Sequence, residues 1–368
     1  MRVLAVADYV SPFAGSFIPM LRAGLRECTA RGMAVQAVLP DAAKDRGWIG
    51  QLDGIDLRFI PLDSPAGSVG RLRQLVGEER GPTILHTHFS VFDMPAVAAA
   101  AGRRDVKVIW HVHTVLGEGA GQRAANLFKL AVVGRRVERI LCVAPHLAEG
   151  VVARGAPPGR VEYFPNALDT EAHAPPSPER RRAARESLGL APDAIVALHF
   201  GRDWKLKGGD LFLRSVARLR ESGLPGLVAV SARGGEPARA LAAQLGIGSA
   251  LVTPSAVDDV NDLYTAADIL MATSRGEGMP LTVLEAVAHG MPVVASDIPG
   301  HRIPGAELPG MVIAPLDPAA LAQAAERLLA RPTEQAERDA DAGREWLQRE
   351  MGLAQWADRL AGLYEALA

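Results

Sequence analysis

Short apolar runs alternate with longer helical stretches along almost the whole chain, and this alternation restricts the fold more than any other feature. In the first half the runs read RVLAVAD, AVQAVLP, TILHTHF, VKVIWHV and RILCVA, with Ala-, Leu- and Arg-rich stretches between them. Strands that alternate with helices form parallel sheets covered by helices on both faces. We therefore predict an α/β protein with a doubly wound sheet.

The alternation breaks once and then restarts, which predicts a second domain of the same class. The break is the proline- and charge-rich stretch DTEAHAPPSPERRRAARESLGLAPDA, and the runs that follow are IVALHFG, GLVAVSA, SALVT, DILMATS and PVVAS. A chain of 368 residues is also long for one core. We predict domains over 1–168 and 193–351, a linker over 169–192, and a C-terminal helix at 352–368 that packs back on the first domain.

Charge and composition argue against several classes of protein. The net charge is -2 and the pI is near 6.5, so no nucleic-acid partner is expected. No apolar run approaches the roughly 20 residues of a membrane span. The start MRVLAVADYV is unlike a signal peptide, which predicts a cytoplasmic protein. Cys28 and Cys142 lack the spacing of a zinc site or a disulfide framework and are interpreted as buried thiols.

The stretch SRGEGMPLTVLEAVAHGMPVVASD contains two acids, Glu277 and Glu285, beside a turn rich in glycine and proline. We interpret DILMATS as a strand, RGEGMP as the loop at its carboxyl end and LTVLEAVAH as the next helix. Ligands of open parallel sheets bind at this edge, where the start of a helix offers N–H groups to anions. The carboxylates are suited to accepting hydrogen bonds from hydroxyls. The ligand implied carries both phosphate and sugar.

A basic loop, HFGRDWKLKGGD, follows the first strand of the second domain. Arg202, Lys205 and Lys207 precede a helix that is expected to begin near Gly209. Arginine offers a fork to two phosphate oxygens and lysine a point charge, so the loop could neutralise a diphosphate without a metal. A solvated basic loop with no ligand is the alternative for this stretch taken alone.

Together the two loops resemble the retaining GT-B glycosyltransferases of the family 4 type. That family shows a GR…KG loop and, later, an acid-Gly loop followed by a second glutamate, which are matched here by GRDWKLKGG and EGMPLTVLE. The segment VEYFPNALDTEAH is similar to the family's PNGVD segment, with Ala167 at the usual glycine. The resemblance covers nearly the whole chain and is strongest over 195–300. It implies a GT-B fold, in which two Rossmann-like domains face each other across a cleft.

The resemblance also implies roles for individual residues. Arg202 and Lys207 would hold the diphosphate of a nucleotide-sugar donor, with a UDP-sugar favoured, and Glu285 would bind the ribose hydroxyls. Glu277 would bind the hydroxyls of the transferred sugar. Three backbone amides at the start of the helix would assist it, those of Gly278, Met279 and Leu281. The acceptor would be a hydroxyl of a saccharide, a lipid-linked glycan or a small natural product.

Three further positions depart from the family pattern. Pro280 has no N–H, so a donor contact made by a glycine at that position is lost. Ser255 replaces a frequent glycine near the base. Ile303 stands where a glutamate usually follows the DIPGHR segment, which removes one polar contact.

Acceptor-side residues are expected in the first domain. Gly15 and Ser16 lie in SPFAGSF and look like a Gly-rich turn through which the backbone can approach phosphate. The motif WHVHT resembles the family's FHT, which implies that His113 lies beside the transferred sugar. His88, His111 and Asn166 are further candidates on this side.

Two His-x-His motifs, at 86–88 and 111–113, raise the alternative of a metal site. A His-x-His on a strand places both side chains on one face. We predict no metal, because no ordered set of carboxylate or cysteine ligands accompanies the histidines. Ordinary buried histidines are the remaining alternative.

Other features are interpreted as structural. The DAD triplet at 339–341 lies in a charged helix without a preceding strand, and His199 and His289 lie near apolar neighbours. The segment NLFKLAVVGRRVERI is typical of an ordinary amphipathic helix, with contact to an anionic membrane surface as the alternative.

The resemblance implies a retaining hexosyltransferase in which Arg202, Lys207, Glu277 and His113 form the catalytic set and no cofactor is required. A sugar-nucleotide 2-epimerase of the same fold and a non-catalytic nucleotide-sugar sensor are the alternatives. A Rossmann dehydrogenase is not expected, because no G-x-G-x-x-G follows any predicted strand.

Overall fold

The computed structural model describes residues 1–62, 64–117, 119–254, 259–303 and 308–368. It divides the chain into two compact units. The first comprises Met1–Leu168 and Met351–Ala368, and the second comprises Asp169–Glu350. Each unit contains one parallel sheet with helices packed against it, which confirms the predicted fold class.

The first unit has a seven-stranded parallel sheet of order β3-β2-β1-β4-β5-β6-β7. Its strands are β1 (Arg2–Ala7), β2 (Ala34–Pro40), β3 (Asp56–Ile60), β4 (Thr83–His88), β5 (Val106–Val112), β6 (Arg139–Cys142) and β7 (Val161–Tyr163). The helices are α1 (Phe17–Ala30), α2 (Pro65–Gly77), α3 (Asp93–Ala99), α4 (Ala120–Leu127) and α5 (Pro145–Ala153). Strands β1 and β4 are buried at every position, because they pair on both sides and helices cover both faces of the sheet.

The second unit has a six-stranded parallel sheet of order β10-β9-β8-β11-β12-β13. Its strands are β8 (Val196–Phe200), β9 (Val228–Ala232), β10 (Leu251–Val252), β11 (Ile269–Ala272), β12 (Val293–Ser296) and β13 (Met311–Ala314). Its helices are α6 (Pro178–Ser187), α7 (Gly209–Ser222), α8 (Gly235–Gln244), α9 (Asn261–Ala266), α10 (Leu281–Ala288), α11 (Pro318–Leu329) and α12 (Thr333–Met351). The strand order reverses between β8 and β11, and the carboxyl ends of these two strands carry the basic and acidic loops.

The C-terminal helix α13 (Leu353–Leu367) belongs to the first unit, where it packs against α1. A side chain on Gly24 would lie 2.9 Å from both Trp356 and Leu360, so the absence of a side chain there permits the close approach of the two helices. The hydroxyl of Tyr364 forms a hydrogen bond with Nδ1 of His86 at the core of the sheet. This helix therefore completes the hydrophobic core of the first unit.

The expected linker over 169–192 is instead largely structured as part of the second unit. It contains α6, which begins after the capping residue Ser177. Arg181 and Arg185 of this helix bind the Asp268 carboxylate at 2.5 and 2.8 Å. The charged composition that suggested a linker therefore reflects a helix whose arginines bind the second unit.

Three strands lie outside the predicted set, and all three are sheet edges. They are β3, β7 and β13, and their residues are mostly partly exposed. Cys28 and Cys142 are buried free thiols, as predicted. Among the described residues, no helix combines the length and the apolar character that crossing a bilayer requires.

Candidate active site

The basic and acidic loops of the second unit meet through a direct ion pair. Nζ of Lys207 lies 2.6 Å from Oε1 of Glu277, and the Ser274 hydroxyl donates to the same oxygen at 2.6 Å. The Glu277 side chain is only 12% exposed and that of Lys207 29%. A cation suited to phosphate and a carboxylate suited to sugar hydroxyls therefore lie side by side at the carboxyl end of β11.

Glycine at position 208 permits this approach of the two loops. Gly208 has a φ of +66°, and a Cβ there would lie 1.9 Å from the carbonyl oxygen of Thr273. The Thr273 hydroxyl donates to the Gly208 carbonyl at 2.8 Å, and Nε2 of the buried His199 lies 2.9 Å from the Lys207 carbonyl. His199 thus supports the backbone that presents Lys207.

Arg275 provides a second connection between the loops that the sequence analysis missed. Its guanidinium forms two hydrogen bonds with the Asp210 carboxylate, at 2.7 and 2.8 Å, and donates to the Lys205 carbonyl at 2.9 Å. Its backbone N–H also donates to the Leu206 carbonyl at 2.7 Å. In the sequence, the only signs of this connection were an arginine two positions before Glu277 and an aspartate near the start of α7, the helix that follows the basic loop.

Arg202 and Lys205 differ from Lys207 in their surroundings. Both side chains are exposed, and neither has an ion pair or a side-chain hydrogen bond with the residues that the structure describes. The basic loop therefore combines one cation already paired with Glu277 and two cations that face solvent. The solvent-facing cations remain able to bind an anion.

Glu285 lies within α10 and is 6% exposed. The Tyr264 hydroxyl donates to its Oε2 at 2.6 Å. Burial, with the adjacent Glu285 carboxylate, holds the pKa of Tyr264 well above its usual value, so the phenol stays protonated and can donate. His289 stacks on the Tyr264 ring with centroids 5.1 Å apart, and its Nε2 lies 3.2 Å from Oδ1 of Asn261. Tyr264 was not predicted as a site residue.

The other residues predicted for the acidic region lie around the start of α10 or after β12, except for Ser255. Helix α10 begins at Leu281 after Pro280, and Gly278 and Met279 in the preceding turn are buried. Ile303 is 7% exposed. Ser255 lies outside the described residues.

Four histidines gather at the carboxyl ends of β4 and β5 in the first unit. His86, His88 and His111 are at most 1% exposed, whereas His113 is partly exposed. Nδ1 of His88 lies 3.2 Å from Nε2 of His113, and the His111 and His113 rings stack with centroids 4.3 Å apart. Burial lowers the pKa of His113 to about 3, and the Asn166 side chain opposes that shift. The ring of His113 is therefore neutral at physiological pH.

Three of these rings could hold a metal ion. The candidate ligand nitrogens of His86, His88 and His111 all lie within 4.8 Å of one another. Zinc requires nitrogens at about 2.0–2.1 Å from the ion. The group includes no carboxylate or thiolate, so a buried dication would keep an uncompensated charge.

The turn that precedes α1 contains Gly15 and Ser16. Gly15 has a φ of +51°, and the Tyr9 hydroxyl donates to the Ala14 carbonyl at 2.8 Å and fixes the turn. Ser16 is 4% exposed and precedes the first residue of α1. Because the side chain of Ser16 is buried, its hydroxyl does not face solvent in this turn.

The segment predicted to be an ordinary amphipathic helix is not one continuous α-helix, although Leu130 and Val137 within it are buried. Helix α4 contains no buried residue, and the chain continues as a π-helix, Phe128–Val132, and a 3-10 helix, Val133–Arg136. Three apolar side chains are 54–55% exposed, namely Leu127, Phe128 and Val132. Nζ of Lys129 donates to the carboxylate of the buried Asp93 at 2.5 Å. These three apolar side chains therefore face outward, while Leu130 of the same segment faces inward.

Comparison with known proteins relates both units to glycosyltransferases. Residues 17–167 match the family model described as "Glycosyl transferase 4-like domain", and residues 194–331 match "Glycosyl transferases group 1". D-inositol 3-phosphate glycosyltransferase 2 of Catenulispora acidiphila is 32% identical over 77% of this chain and 71% of its own length. The D-inositol 3-phosphate glycosyltransferase of Geodermatophilus obscurus is 31% identical over 77% of this chain and 67% of its own length.

Solved structures show the same fold. Anabaena HepE in complex with UDP-glucose has a TM-score of 0.83 and 16% sequence identity, with full coverage of both chains. WaaG, a glycosyltransferase of lipopolysaccharide biosynthesis, has a TM-score of 0.68 and 17% identity, covering 99% of each chain. With the sequence matches, these likenesses show that the chain belongs to the glycosyltransferase group 1 family, the family 4 type of GT-B glycosyltransferases.

Proposed function

We propose that this protein transfers a hexose from a UDP-sugar to a hydroxyl acceptor with retention of anomeric configuration. Glycosyl transfer from a nucleotide sugar is supported by the family matches. The observation that carries the more specific proposal is the contact of Lys207 with Glu277 at 2.6 Å. This contact brings a charge for the donor diphosphate next to a carboxylate for the sugar hydroxyls.

The choice of donor and of first acceptors to test comes from related proteins. HepE has been solved with UDP, with UDP and glucose, and with UDP-glucose, which supports a UDP-hexose here. Sequence relatives are named for transfer to D-inositol 3-phosphate, so a phosphorylated cyclitol is the first acceptor to test. Sugars and lipid-linked glycans follow as further acceptors.

The proposed chemistry places charge stabilisation on the leaving group. As the bond from the sugar C1 to the β-phosphate oxygen breaks, negative charge grows on the diphosphate, where Lys207, Arg202 and the amides before α10 would bind it. The acceptor oxygen forms its bond to C1 on the same face, and its proton passes to the departing phosphate oxygen. Loss of one charged donor would then cost about 2 to 4 kcal/mol of barrier.

Glu277 and His113 are assigned to the sugar itself. The Glu277 carboxylate would accept hydrogen bonds from the sugar hydroxyls and interact more strongly as the ring gains positive charge. His113, whose pKa is lowered to about 3 by burial, would act as a neutral hydrogen-bonding group for O6 rather than as a base. Glu285 would bind the ribose.

We also propose that the reaction needs no metal, because the cations of the basic loop take over the neutralisation of the diphosphate. The expected result is full activity in EDTA. A strict requirement for manganese or magnesium would contradict metal independence and would favour the alternative of a metal site at the three-histidine group in the first unit.

The deciding experiment incubates the protein with UDP-glucose and D-inositol 3-phosphate and follows the anomeric proton by NMR. An α-linked product from the α-linked donor supports the proposal, and a β-linked product contradicts retention. A parallel sample without acceptor tests the epimerase alternative, which would convert the donor to its C2 epimer. Donor binding without turnover against the full panel of acceptors would instead favour a sensor.

A further inference from the structure

His301 has a buried nitrogen that none of the described residues binds. It ends a 3-10 turn, Pro299–His301, that follows β12, and its side chain is 1% exposed. Nδ1 lies 2.8 Å from the Ser296 carbonyl oxygen. A carbonyl only accepts, so Nδ1 carries the proton and Nε2 is a bare acceptor. No described residue forms a hydrogen bond with that Nε2.

The turn that carries His301 lies directly against Glu277. A Cβ on Gly300 would be 2.5 Å from the Glu277 carbonyl oxygen and 2.7 Å from its Cβ. The backbone of the turn can therefore reach Glu277 only because residue 300 has no side chain.

Hydrogen bonds also connect His301 to Glu277 through two serines. The Ser296 hydroxyl donates to the Ser274 carbonyl at 2.5 Å, and the Ser274 hydroxyl donates to Glu277 at 2.6 Å. Burial lowers the pKa of His301, the Glu277 carboxylate opposes that shift and the Lys207 ammonium adds to it. The His301 ring thus shares its surroundings with the Lys207 and Glu277 pair.

We propose that Nε2 of His301 accepts a hydrogen bond from a hydroxyl of the transferred sugar and so helps to determine donor specificity. This inference rests on the proposed function. A bare imidazole nitrogen selects a hydrogen-bond donor, which a sugar hydroxyl provides and an ionised phosphate oxygen does not. The two acceptors, His301 and Glu277, would then bind hydroxyls of the same sugar.

The apolar side chain of Ile303 also supports this assignment. It is an apolar, buried side chain at the position where a carboxylate was expected after DIPGHR. The site therefore lacks that polar contact, and His301, two residues earlier in the same segment, supplies an acceptor in its place. A buried acceptor of this kind discriminates strongly against a sugar that lacks the matching hydroxyl.

The experiment compares wild-type protein with His301→Phe, which keeps a flat ring and removes the acceptor. Donors are UDP-glucose and its 2-, 3-, 4- and 6-deoxy analogues. For wild type, we expect one deoxy donor to lose roughly tenfold or more in kcat/KM. His301→Phe should lose a similar factor with UDP-glucose, react with that one analogue as well as wild type does, and keep its Kd for UDP.

Two further variants separate recognition from folding. His301→Gln retains an acceptor of similar reach and should recover part of the activity that His301→Phe loses. His173→Phe replaces another buried histidine of the same unit whose Nδ1 has no partner in the described part of the chain, and it should leave the donor profile unchanged.

A spectroscopic measurement covers the case in which His301→Phe does not fold. In wild-type protein with ¹⁵N-labelled histidine, the Nε2 signal of His301 should move toward that of a hydrogen-bonded nitrogen on adding UDP-glucose, and not on adding UDP. A signal that does not move on adding UDP-glucose would overturn the inference. So would a His301→Phe variant that loses the same factor in kcat/KM with every donor and also loses affinity for UDP. Wild-type protein inactive with every UDP-sugar would instead contradict the proposed function.

Discussion

The Tyr264 hydroxyl donates a hydrogen bond to Oε2 of Glu285 at 2.6 Å, and both side chains are buried. The carboxylate assigned to the ribose is therefore held by a phenol from the preceding helix α9. A buried ionised group needs such donors, because removing one leaves part of its desolvation penalty uncompensated. The orientation of the Glu285 carboxylate therefore depends on a residue that need not itself touch a ligand.

Tyr264→Phe tests this dependence. Loss of the donor should lower the free energy of unfolding by about 1 to 3 kcal/mol and weaken UDP binding, while kcat at saturating donor changes little. Urea denaturation and calorimetry measure the two effects. Tyr163→Phe, at a partly exposed position in the first unit, is the control and should change neither. Unchanged UDP affinity in Tyr264→Phe would argue against the assignment of Glu285 to the nucleotide.

Glu277 and Glu285 should differ in what their loss changes. The ribose that we propose Glu285 binds is the same in ground and transition states, so Glu285→Gln should mainly raise the KM for the donor. The sugar that we propose Glu277 binds gains positive charge during reaction, so Glu277→Gln should mainly lower kcat, with UDP affinity retained. Steady-state kinetics and calorimetry with UDP separate the two. Loss of UDP binding in Glu277→Gln alone would reverse the assignment.

The central part of the fold was predictable because its strands are buried on both faces. Strands β1 and β4 read as continuous apolar runs, and every residue in them is buried. The edge strands β3, β7 and β13 pair on one side only. Strands β3 and β7 mix charged and apolar residues, and β13 is only four residues long, so periodicity does not distinguish them from loops.

The sequence predicted which loops form the candidate site, but it did not predict the contacts between their side chains. Lys207 and Glu277 were each identified from local motifs, but their pairing joins residues 70 positions apart. Tyr264, Arg275 and His301 escaped prediction because their importance comes from a tertiary partner rather than from local spacing. A sequence pattern predicts at which edge of a sheet a loop lies. The hydrogen bonds across that edge cannot be predicted in this way, because they depend on the packing of elements that are distant in the sequence.

Gly208→Ala should disrupt the approach of the basic loop to β11. The variant combines an unfavourable left-handed backbone with a Cβ placed 1.9 Å from the Thr273 carbonyl oxygen. We expect a loss of stability greater than about 2 kcal/mol, together with weaker donor binding. Gly246→Ala is the matched control, because Gly246 has a φ of +70° and no atom within 4 Å of an added Cβ. Equal losses in the two variants, measured by urea denaturation, would show that the backbone conformation alone accounts for the effect.

The buried histidines should make the first unit sensitive to acid. Burial lowers the pKa of His113 to about 3, below the value of about 6.5 in an unfolded chain. Because the unfolded state binds the proton more readily, the stability from the neutral ring is present above about pH 6.5 and is lost as the pH falls toward 3. His113→Gln should reduce the slope of unfolding free energy against pH by up to about 1.4 kcal/mol per pH unit in that window. Denaturant titrations at several pH values measure the slope, and an unchanged slope would show that His113 is protonated in the folded protein.

The three cations of the basic loop should contribute unequally to kcat, and their surroundings indicate which contributions are largest. Lys207 is paired with Glu277 in the site, whereas Arg202 and Lys205 face solvent. Arg202 is also the group whose fork suits two phosphate oxygens. Lys207→Met and Arg202→Met should each lower kcat by roughly 10²-fold to 10³-fold, because each removes a charge that we propose stabilises the leaving diphosphate.

Lys205→Met is the matched control for these two variants, since Arg275 binds Lys205 through its backbone carbonyl, which the substitution keeps. It should retain nearly full activity. Stability should also separate the variants: Arg202→Met removes no ion pair seen in the structure, while Lys207→Met leaves Glu277 without its cation. Rates measured with UDP-glucose at low and at 0.15 M salt, alongside thermal denaturation, test both statements. A loss of rate in Lys205→Met as large as in Arg202→Met would show that the loop acts through its overall charge, and that the diphosphate is not bound by the particular residues assigned to it.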